Sequence, residues 1–411
     1  MRGPAAVLLF LVLAGPAPAQ DDARIRALLQ KLDDDSIEVR ASAAAELSTH
    51  GRSSIPLLKR VAADAGPETR DRLTDIIRKI EVRERLAALL PPPSFITLEA
   101  KNRPLNEVFQ AVGRQSRTPI DLTGIPEDAR VSVSLQRTPY WKALEEICRA
   151  SGRVMAGADA DHIAITTEPY IALPQTSTEL FHVTLQRIDL SSNGMLGQAD
   201  RFDHFNALFD VSWEKGARPW RVSARITELV DEKGDELTGA ETDPALTSIA
   251  PDAIHVELPL EVPHGPGPQA TKLSRLRVEV AFEFPLRYSE VRLRVADGKL
   301  PPPAECPEFT IRLNRMDRRE GALVTGLTLT LGATPPEGEL LSESIVLRDR
   351  KGNDHQAMIT EGPQTPENET NYEVSFADAP EAGQLSEIII RIPAEVHREK
   401  LDVDLKDIPL K

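Results

Sequence analysis

Cysteine, aromatic residues and excess positive charge are all scarce in this chain, and each scarcity excludes a class of protein. Cysteine occurs only twice in 411 residues, as Cys148 and Cys306, so the chain has no disulfide framework and we expect two free, unreactive thiols. Aromatic residues make up 4% of the chain, which argues against stacking platforms for nucleic-acid bases. Acidic residues outnumber basic ones by 64 to 49, and the net charge of −15 disfavours nucleic acid and anionic membranes as main partners.

Motifs that carry chemistry are also missing from the sequence. The eight histidines are scattered, and none lies in a zinc-protease helix motif or at the Cys/His spacing of a metal site. The sequence contains neither a Gly-x-Ser-x-Gly nucleophile elbow nor a glycine-rich phosphate loop after a strand. We therefore expect no catalytic residue, no cofactor and no metal, and the chain is predicted not to be an enzyme.

Long apolar runs are missing beyond the N-terminus, so no membrane span is predicted. The N-terminus itself has the three parts of a signal peptide. Arg2 supplies a positive charge, residues 5–14 form a short apolar run, and Ala17-Pro18-Ala19 provides small residues at a cleavage site before Gln20. Residues 1–19 are therefore predicted to be removed on export. The mature protein is expected in the periplasm, at the cell surface or outside the cell.

Residues 20–90 show a helical pattern. Apolar residues recur at helical spacing from Ile25 to Leu32 and again from Val39 to Leu47, and residues 33–36 between them break the pattern and supply a helix cap. The run 28–58 resembles a HEAT-type repeat, with a weaker echo in the segment that follows it. Repeats of this kind usually need three or more copies to share a core. This HEAT-like segment is therefore expected to pack against the next domain or a partner.

Residues 91–168 begin with a proline spacer at 91–93 and are predicted to form a small αβ domain. Alternation and helical periodicity give the order β-α-β-β-α-β-β, with a proline, Pro104 or Pro139, at the start of each helix. We expect the apolar helix faces to pack on one sheet. The residues of those faces are Leu105, Val108, Phe109, Val112, Leu144, Ile147 and Cys148.

Several short motifs of this αβ segment resemble a known family. They are Thr97-Leu98-Glu99-Ala100 before Pro104-Leu105, Val131-Ser132-Val133-Ser134-Leu135, Thr138-Pro139-Tyr140-Trp141-Lys142-Ala143-Leu144 and Ser151-Gly152. The pattern resembles the short N-terminal (STN) domain of bacterial secretins and TonB-dependent receptors. That resemblance implies a small periplasmic module that makes protein–protein contacts. It covers under a fifth of the chain, and no secretin ring domain follows.

The rest of the chain is β-rich and contains an internal repeat. Three segments recur in the same order: 181–189 matches 309–317, 231–235 matches 349–353, and 273–280 matches 385–392. We interpret them as two tandem antiparallel β-sandwiches, residues 170–300 and 301–411, joined by prolines 301–303. The predicted fold class is therefore multidomain α+β, with a HEAT-like segment, an STN-like αβ domain and two β-sandwiches.

Arginines at even spacing, Arg275 with Arg277 and Arg292 with Arg294, share a strand face. They predict either a basic stripe or, as we favour, the solvent face of a half-buried sheet. In the second case the arginines are paired with Glu279, Glu283 and Glu290.

The first β module also has an aromatic excess. The corresponding stretch of the second module, residues 321–344, has no aromatic residue. We name Phe202, Phe205, Trp213 and Trp220 as a candidate contact surface, with Phe202 and Phe205 favoured for exposure because polar loop-like residues surround them. The alternative is that the insertion buries its own aromatic side chains, and Trp213 already fits an alternating strand position.

These features favour a non-catalytic exported scaffold or adaptor that makes protein–protein contacts. The alternative hypothesis is a carbohydrate- or polymer-binding protein that uses the β-sandwiches on a polysaccharide. An unrecognised hydrolase is the third. The expected partner is a protein, and the sequence specifies neither its identity nor the oligomeric state.

Overall fold

The computed structural model describes residues 18–156, 162–191, 204–237, 245–250, 253–262, 265–266, 270–295, 300–319, 321–361, 369–379 and 384–410. It is a mixed α+β structure with a helical N-terminal segment and mostly antiparallel sheets. The chain divides into two compact units, Met1–Ala88 and Leu89–Lys411. Residues 1–17, most of the predicted signal peptide, lie outside the described residues, so the signal peptide stays a prediction.

The first unit, over its described residues, is built from helices. They are α1 (Pro18–Lys31), α2 (Ile37–Ser48), α3 (Ile55–Asp64) and α4 (Pro67–Leu89), with a 3₁₀ turn at Arg52–Ser54. The predicted cap lies at the start of α2, where the Ser36 hydroxyl accepts a hydrogen bond from the Val39 N–H at 3.3 Å. One apolar core joins the helices, and its fully buried members include Leu32, Leu47, Leu58, Leu73 and Ile80.

Arginines of α4 close the ends of the first two helices. The Arg72 guanidinium donates to the Leu32 carbonyl at 3.0 Å, just after α1. Arg83 donates to the carbonyls of Ser48 and His50 at 2.6 Å each, at the end of α2. The last carbonyls of a helix have no partner within it, so these side chains satisfy groups that would otherwise need water.

The second unit begins with an αβ region. Its elements are β1 (Phe95–Pro104), α5 (Leu105–Ser116), β2 (Ile120–Asp121), β3 (Arg130–Pro139), α6 (Tyr140–Ser151), β4 (Val154–Ala156) and β5 (Ile163–Thr166). This is the predicted β-α-β-β-α-β-β order. Each helix begins directly after its proline, Pro104 or Pro139, and α6 ends at Gly152, whose φ of 67° is the left-handed conformation that glycine adopts without strain.

The αβ region has two sheets where one was expected from the sequence, and both helices contact β1 and β3 of the first sheet. β1 pairs with β3 in one sheet, while β2, β5 and β4 form another. All seven predicted helix residues, Leu105, Val108, Phe109, Val112, Leu144, Ile147 and Cys148, are nevertheless buried in one common core. Periodicity reports which face of a helix is buried, whereas strand pairing depends on contacts between distant parts of the chain, so only the first was predictable.

The β region follows. Its first strands are β6 (Gln175–Ser177), β7 (Phe181–Ser191), β8 (His204–Trp213), β9 (Arg221–Asp231), β10 (Ala245–Ser248), β11 (His255–Val262) and β12 (Lys272–Arg294). The later ones are β13 (Ala304–Glu305), β14 (Phe309–Arg319), β15 (Ala322–Leu331), β16 (Ile345–Asp349), β17 (Asp354–Gln356), β18 (Met358–Glu361), β19 (Glu369–Phe376) and β20 (Leu385–Pro409). They form three sheets in the described residues, with orders β11-β8-β7-β6, β13-β14-β15-β19-β18 and β10-β9-β12-β20-β16-β17.

The first repeated segment lies at equivalent places in the two copies. Phe181 opens β7 and Phe309 opens β14, and both side chains are buried. The ladder of β7 with β8 is irregular after Leu185, and that of β14 with β15 is irregular after Leu313. Leu185 and Leu313 are matched positions of the repeat, so the shift in strand register occurs at the same place in both copies.

The second repeated segment forms a turn in each copy, and the third forms a strand that pairs with the residue at the start of that turn. Gly234 and Gly352 have φ of 87° and 88°, which only glycine adopts readily. In each turn an aspartate side chain accepts two backbone N–H bonds: Asp231 at 2.8 and 2.9 Å, and Asp349 at 2.8 and 2.9 Å. Asp231 is paired with Leu273 and Asp349 with Leu385, so the matched turn lies beside the matched strand in both copies.

Two long strands tie the copies together. β12 and β20 pair antiparallel from Lys272 opposite Pro409 to Arg294 opposite Glu387. The first part of β12 pairs with β9 of the first copy, and the first part of β20 pairs with β16 of the second. The later part of each strand contributes to the other copy's core, as Val403 does in the first and Leu293 in the second. Each core is therefore completed by a strand of the other copy.

Candidate functional site

A cleft lies between α6 and one face of the β7–β8 sheet, and we call it the α6 cleft. It encloses about 610 Å³ including its open mouth. One wall is apolar and comes mostly from the αβ region and the segment after it: Cys148, Val154, Met155, Ile163, Tyr170, Ile171 and Leu173. The other wall is formed by the sheet and carries polar side chains, Gln175, His182, Thr184, Gln186, Asp210 and Ser212, while Glu145 joins the lining from α6.

Strand alternation places the polar wall on one face of the sheet. His182 and Thr184 alternate along β7 with Val183, which belongs to the apolar core of the first copy. On the neighbouring strand Ser212 lies opposite His182, and Asp210 lies opposite Thr184. All four polar residues are buried. A polar sheet face, normally solvated, is here covered by another part of the chain.

His182 is held as a neutral imidazole. Its Nδ1 lies 2.8 Å from the Ser177 hydroxyl, and its Nε2 lies 2.9 Å from the Thr184 hydroxyl. Burial lowers the pKa of His182 to about 4. Both ring nitrogens are therefore occupied by hydroxyl groups, and the residue has a structural role in the polar wall.

Trp141 anchors α6 to the sheet. Its indole N–H donates to the Leu180 carbonyl at 2.9 Å, and its ring stacks on His182 with 5.3 Å between centroids and 11° between planes. A second attachment lies nearby, where the backbone N–H of Ser94 donates to the Glu214 carboxylate at 3.0 Å. Burial raises the pKa of Glu214, and the hydrogen bond from Ser94 partly offsets that rise. The αβ region is thus fixed to the first β copy by buried polar contacts.

Asp210 is the buried carboxyl group of the cleft. One of its oxygens accepts a hydrogen bond from the Ser212 hydroxyl at 2.7 Å. The other lies 3.8 Å from Nδ1 of His255, which is beyond hydrogen-bond distance. Burial raises the pKa of Asp210, and the Ser212 hydrogen bond lowers it in part. The cleft therefore contains a carboxyl group with unused acceptor capacity.

Neither cysteine forms a disulfide. Burial raises the pKa of the Cys148 thiol, at the apolar wall, to about 12. The reactive form of cysteine is the thiolate, so this thiol is inert near neutral pH. Cys306 is half-buried and donates a weak hydrogen bond to the Phe309 carbonyl at 3.4 Å.

The structure separates the four predicted contact residues. Phe205 and Trp213 are fully buried, because they lie on the core face of β8 together with Ala207, Phe209 and Val211. Naming them as a contact surface was therefore wrong. Trp220 is half-buried, with the Arg221 guanidinium 5.1 Å from its ring centroid. Phe202 lies outside the described residues.

The arginines at even spacing are paired with acids. Arg275 lies 2.8 Å from Asp404, Arg277 lies 3.2 Å from Glu228, and Arg292 lies 2.6 Å from Glu290. The favoured interpretation, a solvent face of a half-buried sheet, is confirmed for these three. The partners include residues on other strands that spacing alone did not indicate. Glu279 and Glu283 pair instead with other cations: Arg225, Lys400, Arg221 and Arg398.

Sequence reasoning missed the α6 cleft. Its signal was the period-two run of polar residues at His182 and Thr184, repeated at Asp210 and Ser212. That pattern is the same for a solvent-facing sheet, so it does not reveal what covers the face.

Within the described ranges, no group of three or more histidine, cysteine, aspartate or glutamate side chains is arranged to hold a metal ion. No helix in the part of the chain that the structure describes is long and apolar enough to span a bilayer. No protein-family model matches the chain, and a search of curated proteins finds no match.

Proposed function

We propose that the chain is an exported, non-catalytic scaffold or adaptor that makes protein–protein contacts in the bacterial periplasm or at the cell surface. The observation that carries this proposal is the pairing of β12 with β20. This pairing joins strands of both β copies into one six-stranded sheet. A continuous ladder of this length fixes the spacing of the surfaces that the two copies present. A scaffold needs that fixed geometry.

The module assignments belong to the same proposal. The helical core of residues 20–90 supports a HEAT-like segment, and the β-α-β-β-α-β-β order supports an STN-like domain over residues 91–168. The matched turns and strands support two β-sandwich modules, residues 170–300 and 301–411. Module types of this kind serve contacts with other proteins, which is why a scaffold is preferred to a catalyst.

Export is proposed from the signal-peptide pattern of residues 1–19. The natural protein should carry Gln20 at its N-terminus, and N-terminal mass analysis reads this directly. A native protein that retains Met1 would contradict the proposal.

Capture with the full mature chain tests the scaffold function. The chain is immobilised and exposed to exported proteins of the source cells, and each captured protein is then purified and titrated against it. A saturable complex of defined stoichiometry is expected. The comparison variant is Val278→Pro, which places a proline in the middle of β12 and removes a ladder hydrogen bond. Loss of binding by this variant supports the role of the β12–β20 sheet. Failure of the unaltered chain to form any saturable protein complex overturns the proposal.

The second candidate is a carbohydrate- or polymer-binding protein. The specific observation in its favour is the α6 cleft, whose lining includes Tyr170, the side-chain amides of Gln175 and Gln186, and the carboxyl group of Asp210. Sugars bind through ring faces and through hydrogen bonds of this type. A glycan array separates the two candidates, since saturable glycan binding without a protein partner would favour this one.

A further inference from the structure

We propose that the α6 cleft receives a cationic side chain, an arginine or lysine, of a partner protein and holds its charged group against Asp210. The inference rests on the proposed scaffold function and names the chemistry by which one partner would be recognised. It is carried by three features of the described residues: a buried carboxyl group with unused acceptor capacity, apolar side chains that line the same cleft, and an exposed isoleucine at its edge.

Asp210 provides a buried carboxyl group in the cleft. The Asp210 side chain is only 8% exposed and lines the cleft. A carboxylate offers about four acceptor positions, and the Ser212 hydroxyl fills one of them. The His255 ring, at 3.8 Å, is too distant for a hydrogen bond and forms an ion pair with Asp210 only when it is protonated. An ionised carboxylate in such surroundings is costly unless a cation pairs with it, so an entering guanidinium or ammonium group would gain a strong partner.

The lining of the cleft favours a side chain with an apolar stem and a charged end. Apolar side chains line one part of the cleft, among them Val154, Met155 and Leu173. Arginine and lysine carry their charge at the end of a slender methylene stem that packs well on apolar surface. A cleft that combines apolar side chains with a buried carboxyl group suits such a side chain.

The mouth is accessible and has a second recess beside it. Ile171, at the rim, is 66% exposed. Glu145 and Gln175 are shared with the neighbouring recess, which also includes Lys142 and Glu179 and encloses about 750 Å³. The recess gives room for the partner's backbone on either side of the inserted residue. The net charge of −15 attracts cationic groups to the surface in general.

A protein partner is preferred to a free ion or a small amine. The described residues provide no set of three metal-ligating side chains, so the cleft lacks the usual coordination of a bound cation. A single cation inserted into a pocket with apolar walls is, by contrast, a common anchor of protein interfaces, and arginine is among the residues most enriched there. The competing explanation is that the cleft holds only water and that Asp210 serves the Ser212 contact alone.

Titration of the full mature chain with short peptides tests the inference. The probe is acetyl-Gly-Arg-Gly-amide, and its lysine, citrulline and norleucine counterparts are the comparisons. Nuclear magnetic resonance or calorimetry reports binding. The arginine peptide is expected to saturate, and the citrulline peptide, which has the same shape without the charge, is expected to bind about tenfold more weakly or worse. Equal binding of the two overturns the inference. So does free arginine that binds as tightly as the peptide, because the site would then belong to a small molecule.

Variants place the binding in the cleft. Asp210→Asn keeps the shape and the Ser212 hydrogen bond but removes the charge, and it should weaken the arginine peptide by about tenfold or more. Asp402→Asn, at an exposed position on β20, is the matched control and should leave binding unchanged. Ile171→Trp blocks the mouth from an exposed position, so it should abolish binding without loss of folding. Unchanged binding by Asp210→Asn or by Ile171→Trp overturns the inference. The scaffold proposal survives that result if capture still yields a protein partner.

Discussion

The same sheet face has different neighbours in the two β copies. In the first copy His182 and Thr184 lie beneath α6 and are buried. The matched positions of the second copy are Thr310, which is half-buried, and Arg312, which is exposed. The two copies therefore share strand order and turn geometry, while only the first uses its polar face to hold the αβ region. The two copies have the same framework, and the neighbour of each copy decides whether the polar residues of this face are buried or exposed.

Removal of the anchor should have the largest effect. Trp141→Ala deletes a fully buried indole that stacks on His182 and donates to Leu180. We expect a loss of about 3–5 kcal/mol in the free energy of unfolding, measured by urea denaturation. Arg312→Ala, on the exposed face of the second copy, should change it by no more than about 0.5 kcal/mol. A loss below about 1 kcal/mol for Trp141→Ala would show that α6 is not anchored at this point.

The covered face should also respond to pH, because it contains His182. The pKa of this residue in the folded protein is about 4, against an ordinary value of 6.5. The unfolded chain therefore takes up the proton first as pH falls below 6.5, and the free energy of unfolding decreases between pH 6.5 and 4. The full loss is about 3 kcal/mol. Asp210 acts in the opposite direction, since its raised pKa stabilises the fold at acid pH and that contribution is lost as pH rises.

Comparison of variants isolates the histidine. His182→Gln should remove most of the loss of stability between about pH 7 and 4.5, read from urea unfolding at each pH. His204→Gln, at a half-exposed position, is the control and should keep the wild-type slope. The second copy has Thr310 at the equivalent position, so it contributes no such slope. Identical slopes for wild type and His182→Gln would contradict the assignment.

The local elements were predictable where a short segment determines its own structure. Both αβ helices begin after a proline and carry an apolar face, so Pro104 and Pro139 located them from sequence. The turns at Gly234 and Gly352 were predictable for the same reason, since Asp, Lys and Gly occur together in each. Features of this kind need only a few consecutive residues.

The exchange of long strands and the α6 cleft could not be predicted in this way. The pairing of β12 with β20 joins distant parts of the chain, and alternation along either strand does not specify the partner. The burial of Asp210 depends on α6, a helix from a much earlier part of the chain. Phe205 was assigned to a loop because Asp203 and His204 precede it, yet β8 already begins at His204, and the phenylalanine takes a core position.

The paired turns give a test of equivalence. An added Cβ at Gly234 or Gly352 would meet no atom within 4 Å, so alanine at either position is opposed only by the positive φ. Gly234→Ala and Gly352→Ala should each cost about 1–2 kcal/mol, and the two losses should agree closely. Thermal or urea unfolding of both variants measures this. Clearly unequal losses would mean that the two turns are not equivalent in the folded protein.

The smallest expected effect concerns two ion pairs between β12 and β20. In the two pairs the basic and the acidic residue are exchanged between the matched positions of the repeat. Arg275 of β12 forms an ion pair with Asp404 of β20 at 2.8 Å, and the matched positions of the repeat have the opposite signs, where Glu387 of β20 pairs with Arg292 of β12 at 3.3 Å. Both pairs lie at the surface, where solvent screens them. Arg275→Ala and Arg292→Ala should each shift the melting temperature by at most about 2 °C. The exchanged pair Arg275→Asp with Asp404→Arg should melt closer to wild type than either single reversal does, since it restores opposite charges across the same strands. Failure of the exchange to recover stability, with both single reversals destabilised, would show that the polarity of each pair is fixed by its other neighbours, such as Glu228 beside Arg275.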